Sequence, residues 1–283
     1  MPSNNVHWFP GHMKKALNEV EERIKLVDVV IELFDARAPL ASQNPYLENI
    51  VANKKKLVVL TKADLADPEQ TKVWENELKN KFDSLLVMNL TENKITDALT
   101  KAVLALGKEK RERDMRRGMK PQPLKTMIVG IPNVGKSSLI NKLAKRKAAG
   151  VQNKPGFTRG EQWIRVNQDF ILLDTPGILP MNYDDQSKAT NLALIGCVKE
   201  DILPNHILLE SLLKTLKNNY PSSLEERYGI KEITTYEEVV KQVADRRKLL
   251  DSNGELDLLR SEALILKEFK DGKLGRITLE KVR

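Results

Sequence analysis

Gly130-Ile-Pro-Asn-Val-Gly-Lys-Ser137 is the stretch on which the fold turns. It fits the phosphate-loop pattern, two glycines separated by four residues and followed by lysine and a hydroxyl residue. An apolar run at 124–129 leads into it and a helical pattern leaves it toward residue 145, so the motif lies at a strand-to-helix turn. There the glycines let the backbone wrap a phosphate, while the helix N-terminus presents unpaired N–H groups and a positive dipole. Lys136 is placed to reach the β- and γ-phosphates, and the Ser137 hydroxyl to ligate Mg²⁺.

Working outward, short apolar runs at 27–34, 56–60, 85–88, 163–166 and 170–173 read as further strands. Helical spacing at 68–82, through Val73, Trp74 and Leu78, and at 96–106 separates the first of them. Strands alternating with helices predict an α/β fold with a mostly parallel sheet and helices on both faces. Residues 107–123 interrupt the pattern with seven basic and three acidic residues closed by two prolines, and read as a connector. Either a solvated helix end or a phosphate-contacting surface explains that charge. Beyond residue 200 only helices are predicted, at 207–216, 236–250 and 256–269. The expected organisation is an N-terminal segment at 1–22, an α/β domain at 23–198 and a small all-helical domain at 199–283.

The 283 residues are 41% apolar and 30% charged, which excludes wholesale disorder and collagen-like structure. A single cysteine, Cys197, can form neither an internal disulfide nor a cysteine metal cluster, and fits a reducing compartment. No leader pattern and no run of about 18 apolar residues is present, so a cytoplasmic protein with no membrane partner is expected. The net charge is +8, with an excess of nine positive charges before residue 200 and a net −1 after it. A basic balance favours a polyanionic partner without naming one.

Two further stretches bear on the nucleotide. Ile171-Leu-Leu-Asp174-Thr-Pro-Gly177 ends an apolar strand with a carboxylate suited to organise Mg²⁺ through water and a glycine whose N–H can sense a γ-phosphate. Between it and the P-loop, Thr158 in Pro155-Gly-Phe-Thr158-Arg is either a plain loop residue or a Mg²⁺ ligand in the triphosphate state. Thr61-Lys62-Ala63-Asp64 follows the strand at 56–60. A carboxylate there can accept two hydrogen bonds from guanine N1–H and its 2-amino group, for which adenine has no matching donor pair. Lys62 would lay its stem along the base and Thr61 would tie the loop to the P-loop, although the same four residues also suit a plain turn.

Together these motifs resemble the GTPase superfamily in an altered order, with Thr61–Asp64 preceding Gly130 rather than following it. The chain is similar to circularly permuted GTPases. With His7-Trp-Phe-Pro-Gly-His12-Met13, Asp35-Ala-Arg-Ala-Pro39 and Pro132-Asn-Val-Gly135, it resembles the ribosome biogenesis GTPase A family, also known as YlqF, over nearly its whole length. The resemblance implies a bacterial GTPase acting late in assembly of the large ribosomal subunit. It implies base contacts at Thr61, Lys62, Ala63, Asp64, Asn89 and Leu90, and phosphate contacts at Asn133, Val134, Gly135, Lys136, Ser137, Ser138 and Gly177. Asn133 falls where K⁺-stimulated relatives supply an oxygen, so GTP or GDP, Mg²⁺ and K⁺ are the expected ligands. At Asn89-Leu90, GTPases commonly carry Ser-Ala, so backbone N–H groups would make that contact here.

GTPases often place a water-orienting glutamine directly after the Asp-x-x-Gly glycine, and this chain has Ile178. An aliphatic side chain cannot orient water, and the resemblance points instead to His12. His7, Trp8 and Phe9 read as structural. A ribosome-stimulated GTPase of low intrinsic rate is expected, monomeric and bound to large-subunit RNA. A GTP-gated binding switch with incidental turnover is the alternative, and Asp64 argues against an ATPase.

Overall fold

A computed structural model describes residues 11–92, 94–145, 163–179, 185–198 and 203–282. His7, Trp8, Phe9 and Thr158 lie outside these residues. His12 lies within the first helix, and its side chain is outside the description. Among the described residues six strands form one sheet in the order β3-β2-β1-β4-β6-β5. They are β1 (Val29–Asp35), β2 (Lys55–Thr61), β3 (Ser84–Val87), β4 (Leu124–Gly130), β5 (Trp163–Arg165) and β6 (Phe170–Leu173). All pairings are parallel except the edge pair of β5 with β6.

The central strand β1 is buried along its whole length and is apolar apart from Glu32, which pairs with Lys56 at 3.0 Å, and its last residue, Asp35. Alternate residues face opposite ways. Ile31, Leu33, Leu57, Val59, Ile128 and Leu172 enter one apolar cluster. Val30, Met127, Val129 and Leu173 enter a second, against Ala16, Leu17 and Val20 of α1 (Gly11–Arg23) and Leu47 of α2 (Pro45–Val51). A third gathers Phe34, Val58 and Leu60 against Trp74 and Leu78 of α3 (Pro68–Lys79). Val73 is exposed rather than packed, because it points away from the Trp74–Leu78 face of that helix.

On the first face lie α4 (Ile95–Leu106), through Leu99 and Val103, and α6 (Lys136–Lys145), through Leu139 and Leu143. The basic connector forms a helix, α5 (Lys108–Arg116), with no buried residue. An unanticipated helix, α7 (Gln186–Leu194), packs with the C-terminal helices. Those are α8 (Asn205–Asn219), α9 (Ser223–Tyr228), α10 (Tyr236–Arg247) and α11 (Leu258–Lys270). The Thr235 hydroxyl caps α10 by accepting from Glu238 N at 3.3 Å. Leu208, Leu212, Val243 and Ile265 belong to the same apolar cluster as the sheet residues Ile31 and Ile128. After α11 the described residues form no further helix, and the chain runs back along the loops at the sheet edge.

Candidate nucleotide site

Parallel strands carry their C-terminal ends to one edge, and the chain reverses its winding between β1 and β4. It builds β2 and β3 outward on one side of β1, then returns to place β4 on the other. A crevice outside the strand ends opens at such a switch point. The register sets Asp35 opposite Thr61, Leu33 opposite Gly130 and Met127 opposite Leu173. The Thr61–Asp64 loop, the P-loop and Asp174–Gly177 are therefore brought together at that edge.

Gly130 ends β4 with φ +151°, and a side chain there would begin 3.0 Å from Leu33 O. The strand thus turns into the loop without a Cβ in the way. Lys136 is buried, and its Nζ donates to Gly130 O at 3.1 Å and Ile131 O at 2.9 Å. Burial lowers its pKa to about 8, against the opposing pull of Asp174. Val134 is buried, while Ser137 and Ser138 stand exposed on the first turn of α6. Asn133 has φ +56°, and its Nδ2 donates to Gly196 O at 2.8 Å.

Gly177 lies hard against the P-loop. A Cβ at that position would come 2.8 Å from Pro132 Cα and 2.9 Å from Lys136 Nζ, so only glycine permits this approach. Thr175 Oγ1 donates to Ile128 O at 2.5 Å, fixing the start of the same turn to β4. Partial burial raises the pKa of Asp174, opposed by the Thr175 N–H and by Lys136. Ile178 is buried in the cluster with Ala16, Leu17 and Val20 of α1, and its carbonyl accepts from Asn44 Nδ2 at 2.9 Å. Its side chain is thereby committed to the core.

The Thr61–Asp64 loop is tied to the P-loop. Thr61 Oγ1 donates to Val134 O at 2.6 Å, and Lys62 Nζ to Asn133 O at 2.8 Å. Lys62, at φ +55°, also pairs with Asp35 Oδ2 at 2.9 Å. Ala63 N donates to Met88 O at 3.4 Å, and Asp64 is exposed. Asn89 Oδ1 accepts from Thr91 N at 2.9 Å in a local turn. Leu90 lies against Gly135, 3.0 Å from where a Cβ would start, and its carbonyl accepts from Lys142 Nζ at 2.9 Å.

Asp35 and Arg37, given no role by sequence reasoning, organise the floor beneath this loop. Burial alone would raise the Asp35 pKa, but Arg37 and Lys62 overcome it and hold it down to about 2. Arg37 Nη2 donates to Asp35 Oδ2 at 2.8 Å and to Ile195 O at 3.2 Å, and its Nη1 to Lys270 O at 3.3 Å. It therefore joins the end of β1 to the C-termini of α7 and α11. A charged residue closing an apolar strand, as Asp174 also does, was the signal available for Asp35.

The site's chemistry suits a nucleoside phosphate: backbone N–H groups and a buried ammonium for the phosphates, and a carboxylate on the base loop. Among the described residues no group of three or more His, Cys, Asp and Glu could hold a metal by itself. No helix among the described residues is long and apolar enough to cross a membrane.

Comparison with known proteins agrees with this geometry. A family model described as 50S ribosome-binding GTPase matches residues 125–224. Ribosome biogenesis GTPase A of Bacillus cereus is 41% identical, over 97% of this chain and 93% of its own length. The protein of that name from Thermotoga maritima is 30% identical, over 98% of this chain and 94% of its own. The crystal structure of GNP-bound YlqF from T. maritima superposes with a TM-score of 0.68 at 26% identity, covering 94% of this chain and 98% of that one. With its Thr61–Asp64 loop ahead of its P-loop on one sheet edge, the chain is a circularly permuted GTPase and belongs to the ribosome biogenesis GTPase A family.

Proposed function

We propose that this GTPase acts in late assembly of the large ribosomal subunit, and that docking on the subunit stimulates its low intrinsic turnover. Its role as a GTP-hydrolysing factor of ribosome biogenesis follows from the family. The observation that carries the finer reading is the burial of Ile178, which leaves the position after Gly177 without a polar group for the attacking water. A partner that completes the site would then control the rate.

In this reading the P-loop N–H groups and Lys136 hold the β- and γ-phosphates. Lys136 exchanges its two carbonyl bonds for phosphate oxygens. Ser137, Asp174 through water, and Thr158 in the triphosphate state would hold Mg²⁺, which supplies charge neutralisation across the phosphates. Asp64 receives the guanine N1–H and 2-amino donors, and the backbone at Asn89 and Leu90 closes the other side of the base. Because Asn133 Nδ2 is engaged by Gly196 O, its Oδ1 is the atom left for K⁺. His12, on the helix whose Ala16, Leu17 and Val20 pack with Ile178, orients the water once the subunit holds the N-terminal segment in place. The basic first 200 residues supply long-range attraction to RNA, and the near-neutral helices beyond supply shape-dependent contacts. The protein acts as a cytoplasmic monomer.

Single-turnover GTP hydrolysis with and without purified large subunits, in matched KCl and NaCl, tests this. Stimulation by subunits that is lost in His12→Ala, with GDP affinity kept, is the expected result. Full stimulation in that variant removes His12 from the mechanism. No stimulation at all favours a GTP-gated binding switch, for which the buried Ile178 is also the motive.

A further inference from the structure

Residues 276–280 lie along the outer side of the Thr61–Asp64 loop. Arg276 Nη2 donates to Ala63 O at 2.6 Å, and its Nε to Ala66 O at 2.9 Å. Ile277 N donates to Leu65 O at 3.0 Å, and Asp67 N to Thr278 Oγ1 at 3.1 Å. Farther on, Leu279 N donates to Arg37 O at 2.8 Å, and the Glu280 carboxylate accepts from Leu40 N at 2.6 Å and Ala41 N at 3.0 Å. The strap therefore follows both loops of the base side, residue by residue.

It is held in turn by the helical region. The Tyr220 hydroxyl, just past α8, accepts from Thr278 N at 3.1 Å and lies 3.0 Å from Asp67 Oδ2. Asp67 Oδ1 meanwhile caps α3 by accepting from Glu69 N at 2.8 Å. On its inner side the base loop is fixed by Thr61 and Lys62, which touch the P-loop. Ala63 and Asp64 sit between these two sets of ties. The carbonyl of Ala63, one peptide before Asp64, is gripped from outside only by Arg276 among the described residues.

We propose that Arg276 is a positioning residue for guanine recognition, and that the C-terminal strap, anchored by Tyr220, sets the loop that presents Asp64 to the base. A bidentate contact from Asp64 requires its backbone to be fixed before the base arrives, since ordering the loop on binding would cost affinity. Arg276 does this through two carbonyls that straddle Asp64 in sequence. Among the described residues the strap has no hydrogen bond or ion pair to the P-loop or to Asp174–Gly177, so it acts on base affinity and leaves phosphate chemistry alone. This rests on the reading of Asp64 as the base-selecting carboxylate.

The test is hydrolysis and nucleotide competition by the full-length protein and its Arg276→Gln, Arg276→Lys, Tyr220→Phe and Asp64→Ala variants, with GTP, ITP and ATP. Losing two hydrogen bonds to the loop should raise KM for GTP about tenfold in Arg276→Gln with kcat unchanged. The GTP-over-ITP preference should shrink alongside, because ITP lacks the 2-amino group. Arg276→Lys, able to reach one carbonyl, should recover part of both effects. Tyr220→Phe, which keeps shape and packing, should move KM the same way, and Arg276→Gln should add little to Asp64→Ala. If Asp64→Ala abolishes the preference while Arg276→Gln leaves KM and preference unchanged, the strap has no part in base selection. A fall in kcat and stability together, with preference kept, also overturns it. If Asp64→Ala itself keeps the GTP preference, the base-loop reading and this inference fall together.

Discussion

Lys136 is an ammonium in a buried place, satisfied by two carbonyls of its own loop. With Lys136 on the phosphates as proposed, its pKa, lowered by burial to about 8, would make nucleotide affinity depend on pH in a definite direction. Phosphate oxygens raise that pKa, so a group with a higher pKa in the complex favours binding fully below pH 8, where it is charged in both states. Above pH 8 binding must take up a proton, and affinity declines by up to about tenfold per pH unit. Calorimetry of GDP binding at pH 8.5 in two buffers of different ionisation enthalpy should report that uptake; none would mean Lys136 is charged throughout. Ile178 is the other instructive residue. Restoring the polar side chain that many GTPases carry there, as Ile178→Gln, should not raise the hydrolysis rate, because the position faces the α1 cluster. It should instead destabilise the fold by about 2 to 4 kcal/mol through lost apolar burial and a buried amide. Urea unfolding and intrinsic GTPase rates decide between the two outcomes.

At the scale of elements, α5 is the exception in a molecule whose other long helices each bury a face. Lys110 lies 4.0 Å from Asp28 and Arg111 pairs with Asp169 at 3.4 Å, which fastens its inner side. Arg113, Arg116 and Arg117 are exposed, share one helical face, and have no salt bridge among the described residues. Replacing all three by glutamine should leave the melting temperature nearly unchanged, since no packing is lost. If they touch RNA phosphates on the large subunit, the slope of log affinity against log salt should fall by about 2. An unchanged slope would return α5 to a plain solvated connector. The helix itself was foreseen only as a charge run, because a run with no apolar stripe carries no periodic signal.

For the whole molecule, the apolar cluster runs without a break from Leu33 and Ile128 in the sheet to Leu212, Val243 and Phe269 in the helices. Arg37 and the C-terminal strap add polar ties across the same junction. Cutting the chain near residue 200 would expose that core, so the helical region is best probed in the intact protein. Thermal unfolding followed by far-UV ellipticity and by tryptophan fluorescence should give one midpoint. Trp74 and Trp163 report on the sheet half, while most of the helix signal past residue 200 comes from the other. Separate midpoints would show that the two regions are energetically independent.

The linear order of motifs, which sequence alone carries, determined the permutation: Thr61–Asp64 stands before Gly130 whatever the packing. Strand runs rich in β-branched residues, the strand-to-helix setting of the P-loop and the helical tail were equally legible, because each signal lies within a few neighbouring residues. Tertiary structure alone decided that Ile178 turns into the core, that Val73 stays outside, and that Asp35 is held ionised by Arg37 and Lys62. It alone brought Arg276 to Ala63 and Glu280 to Leu40. These pairs lie more than 200 residues apart in the chain, and hydrogen bonds and burial act only over a few ångströms. Which distant groups come within that range is set by how the sheet winds and where the last helix releases the chain, and no local pattern encodes it.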